Sequence, residues 1–377
     1  MRESRFPSAN LEHRLCLSLC CGQLSADQRS RVLGLLSQPV KWHKFLRIVY
    51  AQEIWPLVYR NLRALGFPAI PNEVQTKLKC AYVETALENH LASNALTVLL
   101  RHLSNAAVPV VPLKGVQLAN SLFGDPAMRV CTDADLLVPP RKLNRALEVI
   151  RLSGYGDVFD DNFFRKLELE HGRHFSFQRH FSGHNILIEV HWRLVQHSSR
   201  DSLAVHDLWS EVQDAHCFGV SACRLSPEWQ FLYLCIHAAD HHWRGLKWLV
   251  DIHQLCVTQA PDWRRVKQKA EQFGFDRVVR QTLATCSRLF EMPLPAVYSS
   301  VSLPSRPRLS ALTLAQGTYP DVFAHLSLLE RPWDRLRCVA NIVLVPKPAD
   351  RNFVRLPAAL SFLYYPLRAV RLIAKRV

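Results

Sequence analysis

The sequence contains no Cys-x-x-Cys pair, although 11 cysteines are spread from Cys16 to Cys338. Cys16, Cys20 and Cys21 cluster near the start, but no matching second cluster follows. Neither a disulfide framework nor a structural zinc site is therefore expected. Reduced thiols that fill small core positions, in a cytoplasmic setting, fit better. No stretch reaches the roughly 18 uncharged apolar residues of a membrane-spanning helix. The opening residues are charged and lead only to the short apolar stretch Leu15 to Cys21, with no small-residue cleavage site, so no secretory leader is expected. There is no internal repeat and no low-complexity tract. Acidic residues are also scarce: 32 stand against 47 Lys and Arg, a net charge of +15. This imbalance favours polyanionic partners such as nucleic acid, anionic lipid or phosphate-rich small molecules, or serves solubility alone. It is strongest from Val301 to Val377, with 12 basic and 4 acidic residues.

What is present suits a folded protein. Hydrophobic residues make up 49% of the 377 and charged residues 21%, enough for two or three cored units. Residues from about Ser8 to Asn105 read as helices; Trp42, Phe45, Leu46, Val49 and Tyr50 recur at helical spacing. Pro68 and Pro71 interrupt before a helix over about 72–104. The texture changes at Val108, where a short β-branched strand runs into Gly115 and a helical stretch to Phe123. Asp133 to Val138 reads as a second strand closed by Pro139 and Pro140, and Arg141 to Leu152 as an amphipathic helix stopped by Gly154. Phe175 to Phe177 and Ile186 to Trp192 read as further strands. Helices resume at Pro227: one long or two abutting over Trp229 to Cys256, then another over Phe273 to Phe290. The expected architecture is α+β. An N-terminal helical region (1–105) and a mixed-sheet core (106–200) precede a helical region (201–300) and a basic helical tail (301–377).

Chemistry concentrates at Thr132-Asp133-Ala134-Asp135-Leu136-Leu137-Val138. Residues i and i+2 of a strand share a face, so Asp133 and Asp135 project together. Two adjacent carboxylates repel unless a cation lies between them, and a hard divalent ion with oxygen ligands is the natural occupant. Alternation over Ile186 to Trp192 puts Ile186, Ile188, Val190 and Trp192 on one face and Glu189 and His191 on the other, which offers Glu189 as a third carboxylate. Lys114 and Gly115 leave a strand and enter a helix, the arrangement in which backbone N–H groups meet phosphate; Arg129 adds positive charge before Asp133.

In order and spacing, Leu113-Lys114-Gly115, Arg129, Asp133-Ala134-Asp135-Leu136-Leu137, Gly154-Tyr155 and Glu189-Val190-His191-Trp192 resemble an uncharacterised bacterial nucleotidyltransferase family of the DNA polymerase beta-like superfamily. The segment His237, His241, Trp243, Leu246, Trp248, Leu249 and Asp251 and the ending Tyr364 to Arg368 are similar to that family too, so the likeness spans about Trp42 to Arg376. The resemblance implies a small mixed-sheet nucleotidyltransferase core flanked by helical regions. It implies Asp133, Asp135 and Glu189 as catalytic ligands of Mg2+ or Mn2+, and Lys114, Gly115, Arg129 and His191 around the nucleotide. The implied reaction is in-line attack on the α-phosphate of an NTP with release of pyrophosphate. Two features depart from the superfamily pattern: Glu189 stands where Asp is more usual, and the glycine element lacks the phosphate-touching Ser.

The acceptor stays open between a small molecule, a glycan precursor and RNA; no aromatic-and-basic single-strand motif appears. Alternative readings are a catalytically inactive nucleotide-binding protein and a peripheral membrane adaptor. For the latter, Leu360 to Lys375 would lie on an anionic surface, at the inner membrane for a bacterial protein; the competing expectation docks this helix with its basic face in water. His237 and His241, at i and i+4, have zinc-like spacing but no evident third ligand. Lys247 and Asp251, also i and i+4, would pair with each other or face the site. The segment His171 to His174 reads as a loop or as a phosphate contact.

Overall fold

A computed structural model describes residues 10–195, 208–299, 326 and 329–374. The chain opens with helices α1 (Leu11–Leu19), α2 (Ala26–Leu36), α3 (Trp42–Ala51), α4 (Trp55–Ala64) and the long α5 (Asn72–Asn105). Next come β1 (Val111–Pro112), α6 (Val116–Phe123), β2 (Ala134–Leu137), α7 (Leu143–Leu152), β3 (Gly156–Asp157), α8 (Asn162–His171), β4 (His174–Phe181) and β5 (His184–His191). A hairpin of β6 (Gln213–Cys217) and β7 (Val220–Arg224) precedes helices α9 (Pro227–Asp240), α10 (Leu246–Gln259), α11 (Trp263–Phe273) and α12 (Asp276–Phe290). The last helices are α13 (Pro332–Leu344), α14 (Pro348–Phe353) and α15 (Tyr364–Ala374). This is the expected α+β architecture, a small mixed sheet with helical flanks.

Two compact units share the chain. The first combines Met1–Asn94, Lys114–Thr132 and Ser226–His325, and its described elements are helical. Several of its helices start where a side chain takes up an orphan N–H. Asn10 caps α1, Ser25 caps α2 in a reciprocal capping box with Gln28, and Asp262 caps α11. Its core is apolar, with Leu15, Phe45, Val58, Leu62, Phe231 and Leu249 almost fully buried. Each such side chain contributes about 1.5–3 kcal/mol relative to exposure. Cys16, Cys20 and Cys21 are among the buried residues, and none of the 11 cysteines is in a disulfide. The stretch from Trp229 to Cys256 is two helices, because the chain turns between them through His242 and Trp243, both with positive φ.

The second unit takes Ala95–Leu113, Asp133–Leu225 and Leu326–Val377. Its five-stranded sheet has the order β1-β2-β5-β4-β3, with β2 parallel to β5 and the other pairs antiparallel. One sheet face is apolar: Leu136, Phe177, Ile188 and Val190 are at most 1% exposed. Alternation in β4 and β5 sends polar residues to the opposite face. Helix α7 buries Leu143, Ala146, Leu147 and Ile150 and ends at Gly154, whose φ of 85° favours glycine. The hairpin β6–β7 lies before Pro227, where helices are expected to resume, within the stretch 201–300 assigned to a helical region. Its two-residue turn is Phe218-Gly219, both with positive φ, the geometry that matches the twist of a tight hairpin.

Candidate metal and nucleotide site

Strand register assembles the site. Asp135 of β2 is the direct partner of Glu189 in β5, and Leu137 is the partner of His191. Across the antiparallel pair, His174 of β4 lies opposite His191. Asp135, Glu189, His191 and His174 therefore share one face of the sheet, and Asp133 immediately precedes β2 with the same parity. Adjacent strands lie about 4.8 Å apart, which brings Asp135 and Glu189 together without any special loop.

The side chains converge. Asp133, Asp135 and Glu189 each offer a carboxylate oxygen within 4.8 Å of the others; Asp135 is buried and the other two are half-buried. His191, 3% exposed, sits between two of them, its Nε2 2.9 Å from Asp135 Oδ1 and 3.4 Å from Glu189 Oε2. His174 Nε2 lies 3.6 Å from Glu189 Oε1, and the two imidazole centroids are 4.9 Å apart. Burial opposes charge on His191, but its hydrogen bonds to Asp135 and Glu189 outweigh this and its pKa is raised. His174 is pushed down to about 4 by burial and by the neighbouring His191. Burial works against the charged form of Glu189, yet the His191 hydrogen bond and the two imidazoles hold its carboxyl below the usual range.

A divalent cation fits this donor set. Oxygens about 2.1 Å from a shared magnesium ion are at most about 4.2 Å apart, so ligand atoms within 4.8 Å need close by only a few tenths of an ångström. Three carboxylates form the hard oxygen set that Mg2+ or Mn2+ prefers. A second cluster, His174, Glu189 and His191, has the same spacing but offers imidazole nitrogens, a set suited to softer ions. Among the described residues these are the clusters with metal-ligand spacing. His237 and His241 belong to neither; their rings pack against Trp248, with centroids at 5.6 and 4.1 Å.

The remaining expected residues belong to the first unit. Gly115 caps α6 with φ 77° and ψ −146°, a region essentially restricted to glycine, and Lys114 before it is 9% exposed. Arg129 is buried, with Nε 2.9 Å from Asp251 Oδ2 and 3.1 Å from Oδ1. Burial works against its charge, but Asp251 holds the guanidinium firmly protonated. Lys247 pairs with Glu53 and donates to Val130 O at 3.3 Å, so its nearest acid is not Asp251. The structure thus joins Asp133, Asp135, Glu189 and His191, and places Lys114, Gly115 and Arg129 in the other unit.

Sequence reasoning missed the position of His174. The alternation His174-Phe175-Ser176-Phe177 carried the signal, because it extends the strand back to the histidine and fixes its face.

The chain belongs to the family described as uncharacterised nucleotidyltransferase, which matches residues 38–291. The tail, including Tyr364 to Arg368, lies beyond the matched residues. One solved structure is similar, an antigenic nucleotidyltransferase-like protein from Paracoccidioides brasiliensis, with 15% identity over 56% of this chain and 96% of that one. Its TM-score is 0.37. No curated protein matches.

Proposed function

We propose that the protein is a metal-dependent nucleotidyltransferase that moves a nucleoside monophosphate from an NTP to a hydroxyl or phosphate of an acceptor. The convergence of Asp133, Asp135 and Glu189 carries this reading. When bound, Mg2+ or Mn2+ would neutralise triphosphate charge and favour ionisation of the attacking group. Asp133 and Asp135 would hold the cation from the β2 side, and Glu189 from β5. His191 fixes the Asp135 and Glu189 carboxylates through its Nε2 and lines the nucleotide side. Lys114, Gly115 and Arg129 are proposed phosphate contacts on the sequence pattern alone. The acceptor is a small molecule, a glycan precursor or RNA.

The test is transfer of label from α-phosphate-labelled NTPs into a component of cell extract with magnesium. The parent transfers label and Asp133→Ala/Asp135→Ala does not. Equal labelling by both would overturn the assignment. The second reading is nucleotide binding without turnover. It is favoured by the commitment of Arg129 to Asp251, which engages a cation expected on phosphate. Magnesium-dependent NTP binding without label transfer would select it.

A further inference from the structure

In the segment 329–374, Val345 and Tyr364 join an apolar cluster with Phe164 and Leu167, but a polar network is buried beside it. In α15, Arg368 and Arg371 face inward, 6% and 7% exposed, while Val370 and Ile373 are 56% and 69% exposed. The buried arginines converge on Asp350 of α14, which is fully buried. Arg368 also donates to Ile342 O at 2.6 and 3.1 Å, and Lys347 N donates to Asp350 Oδ2 at 2.6 Å. The same inversion marks α13. Asp334 and Asn341 are buried, and Asn341 donates to His171 O at 3.2 Å. Meanwhile Trp333, Leu336 and Leu344 stand in the open on the other face. They fall at i, i+3 and i+11, one stripe along the helix. Phe362, in the turn before α15, is 61% exposed.

Single exposed apolar residues need no explanation, but a concentration does. Of the 21 large apolar side chains exposed among the described residues, 13 lie between Trp333 and Ile373. Burying ion pairs and exposing aliphatic groups is poor economy in water and good design in hydrocarbon, where polar groups must be satisfied internally. Charge selects the kind of surface. Residues 329–374 carry eight Lys and Arg against three Asp and Glu; with the buried Arg368, Arg371, Asp334 and Asp350 set aside, six basic residues and one acid remain. The exposed Arg337 flanks the apolar stripe of α13. An acid-poor, basic rim around an apolar face matches an anionic bilayer better than a protein partner. At 13 residues, α13 is roughly 20 Å long, too short to cross the ~30 Å hydrocarbon layer, and no described helix has the length and apolarity to do so.

We infer that residues 332–374 seat the protein in the plane of an anionic membrane interface, with Trp333, Leu336, Leu344, Phe362 and Ile373 entering the acyl boundary. The seat is independent of the carboxylate site and lies outside the residues matched by the family.

The experiment is flotation of the full-length protein with phosphatidylcholine vesicles, with and without about 30 mole per cent phosphatidylglycerol. The expected result is flotation with the anionic vesicles and little with neutral ones. Phe362→Ser/Ile373→Ser, at exposed positions that leave the buried core intact, lowers partitioning at least about 10-fold. Trp333→Ser/Leu344→Ser does the same from a separate helix. Asp133→Asn/Asp135→Asn floats like the parent, so failure of the catalytic reading leaves this result untouched. Two outcomes overturn the inference: no flotation, which a self-association abolished by either variant would trace to a second copy of the chain, or flotation undiminished in both serine variants.

Discussion

Replacing Asp251 with alanine removes one half of a buried ion pair and leaves the other half stranded. The Arg129 and Asp251 side chains are 4% and 2% exposed, with 2.9 Å between Nε and Oδ2. At an effective dielectric constant of about 20, charges about 4 Å apart attract by ~4 kcal/mol, and each costs several kcal/mol to desolvate. The intact pair is therefore close to balance. Its single-sided loss is not, because the guanidinium stays buried with Lys247 nearby as a second cation; burial, and then the positive charge of Arg129, depress the Lys247 pKa. The expected cost of Asp251→Ala is about 3–5 kcal/mol, a large part of a typical total of ~5–15 kcal/mol. Arg129→Met/Asp251→Leu, which removes both charges and refills the space, recovers most of that loss. Urea denaturation at pH 7, followed by circular dichroism, reads all three proteins. An Asp251→Ala protein within about 0.5 kcal/mol of the parent would refute the reasoning, as would a double variant no more stable than the single.

Two further outcomes follow from other parts of the fold. Asp157 accepts from Arg151 at 2.8 and 2.9 Å and from Arg165 at 3.2 Å. Burial alone would raise its pKa, but these partners hold it below the ordinary value of 3.8. Its stabilisation is present above pH 3.8 and is lost as pH falls through the lower folded value. Asp157→Asn therefore costs about 1–2 kcal/mol at neutral pH, allowing for solvent screening of the arginines, and the gap from the parent closes under acid titration; a gap that widens in acid contradicts the assignment. Asn61, 3% exposed, donates to Leu19 O at 2.8 Å and Cys21 O at 2.9 Å, tying α4 to the end of α1. Asn61→Leu leaves two buried carbonyls without this donor and lowers stability by about 2 kcal/mol in thermal unfolding; an unchanged midpoint would show that water replaces the amide.

The site was legible in sequence where local periodicity decides it. Alternation through Ile186 to Trp192 is enough to put Glu189 and His191 on one face, and Asp133 with Asp135 follows from the same two-residue period. Which strands become neighbours is not a local property. The parallel pairing that sets Asp135 against Glu189 depends on how 46 intervening residues, from Val138 to Gly183, fold into a helix–strand–helix–strand path. Arg129 illustrates the same limit. Its partner is 122 residues away, while the i, i+4 spacing of Lys247 and Asp251 suggested a local pair that gave way to stronger tertiary partners. In α15 the amphipathic pattern was visible, but a pattern alone does not say which face is inward. Arg368 and Arg371 turn in because Asp350 and Ile342 O receive them, and neither lies within reach of a helical repeat.

The most direct test of the central claim, that Asp133, Asp135 and Glu189 form one divalent-cation site, is a Mn2+ titration of the full-length protein followed by electron paramagnetic resonance. The parent is expected to sequester Mn2+ saturably and to yield it to excess Mg2+, with Asp135→Asn and Glu189→Gln each weakening binding at least about 10-fold. Full Mn2+ affinity in both variants, or none in the parent, would contradict the site.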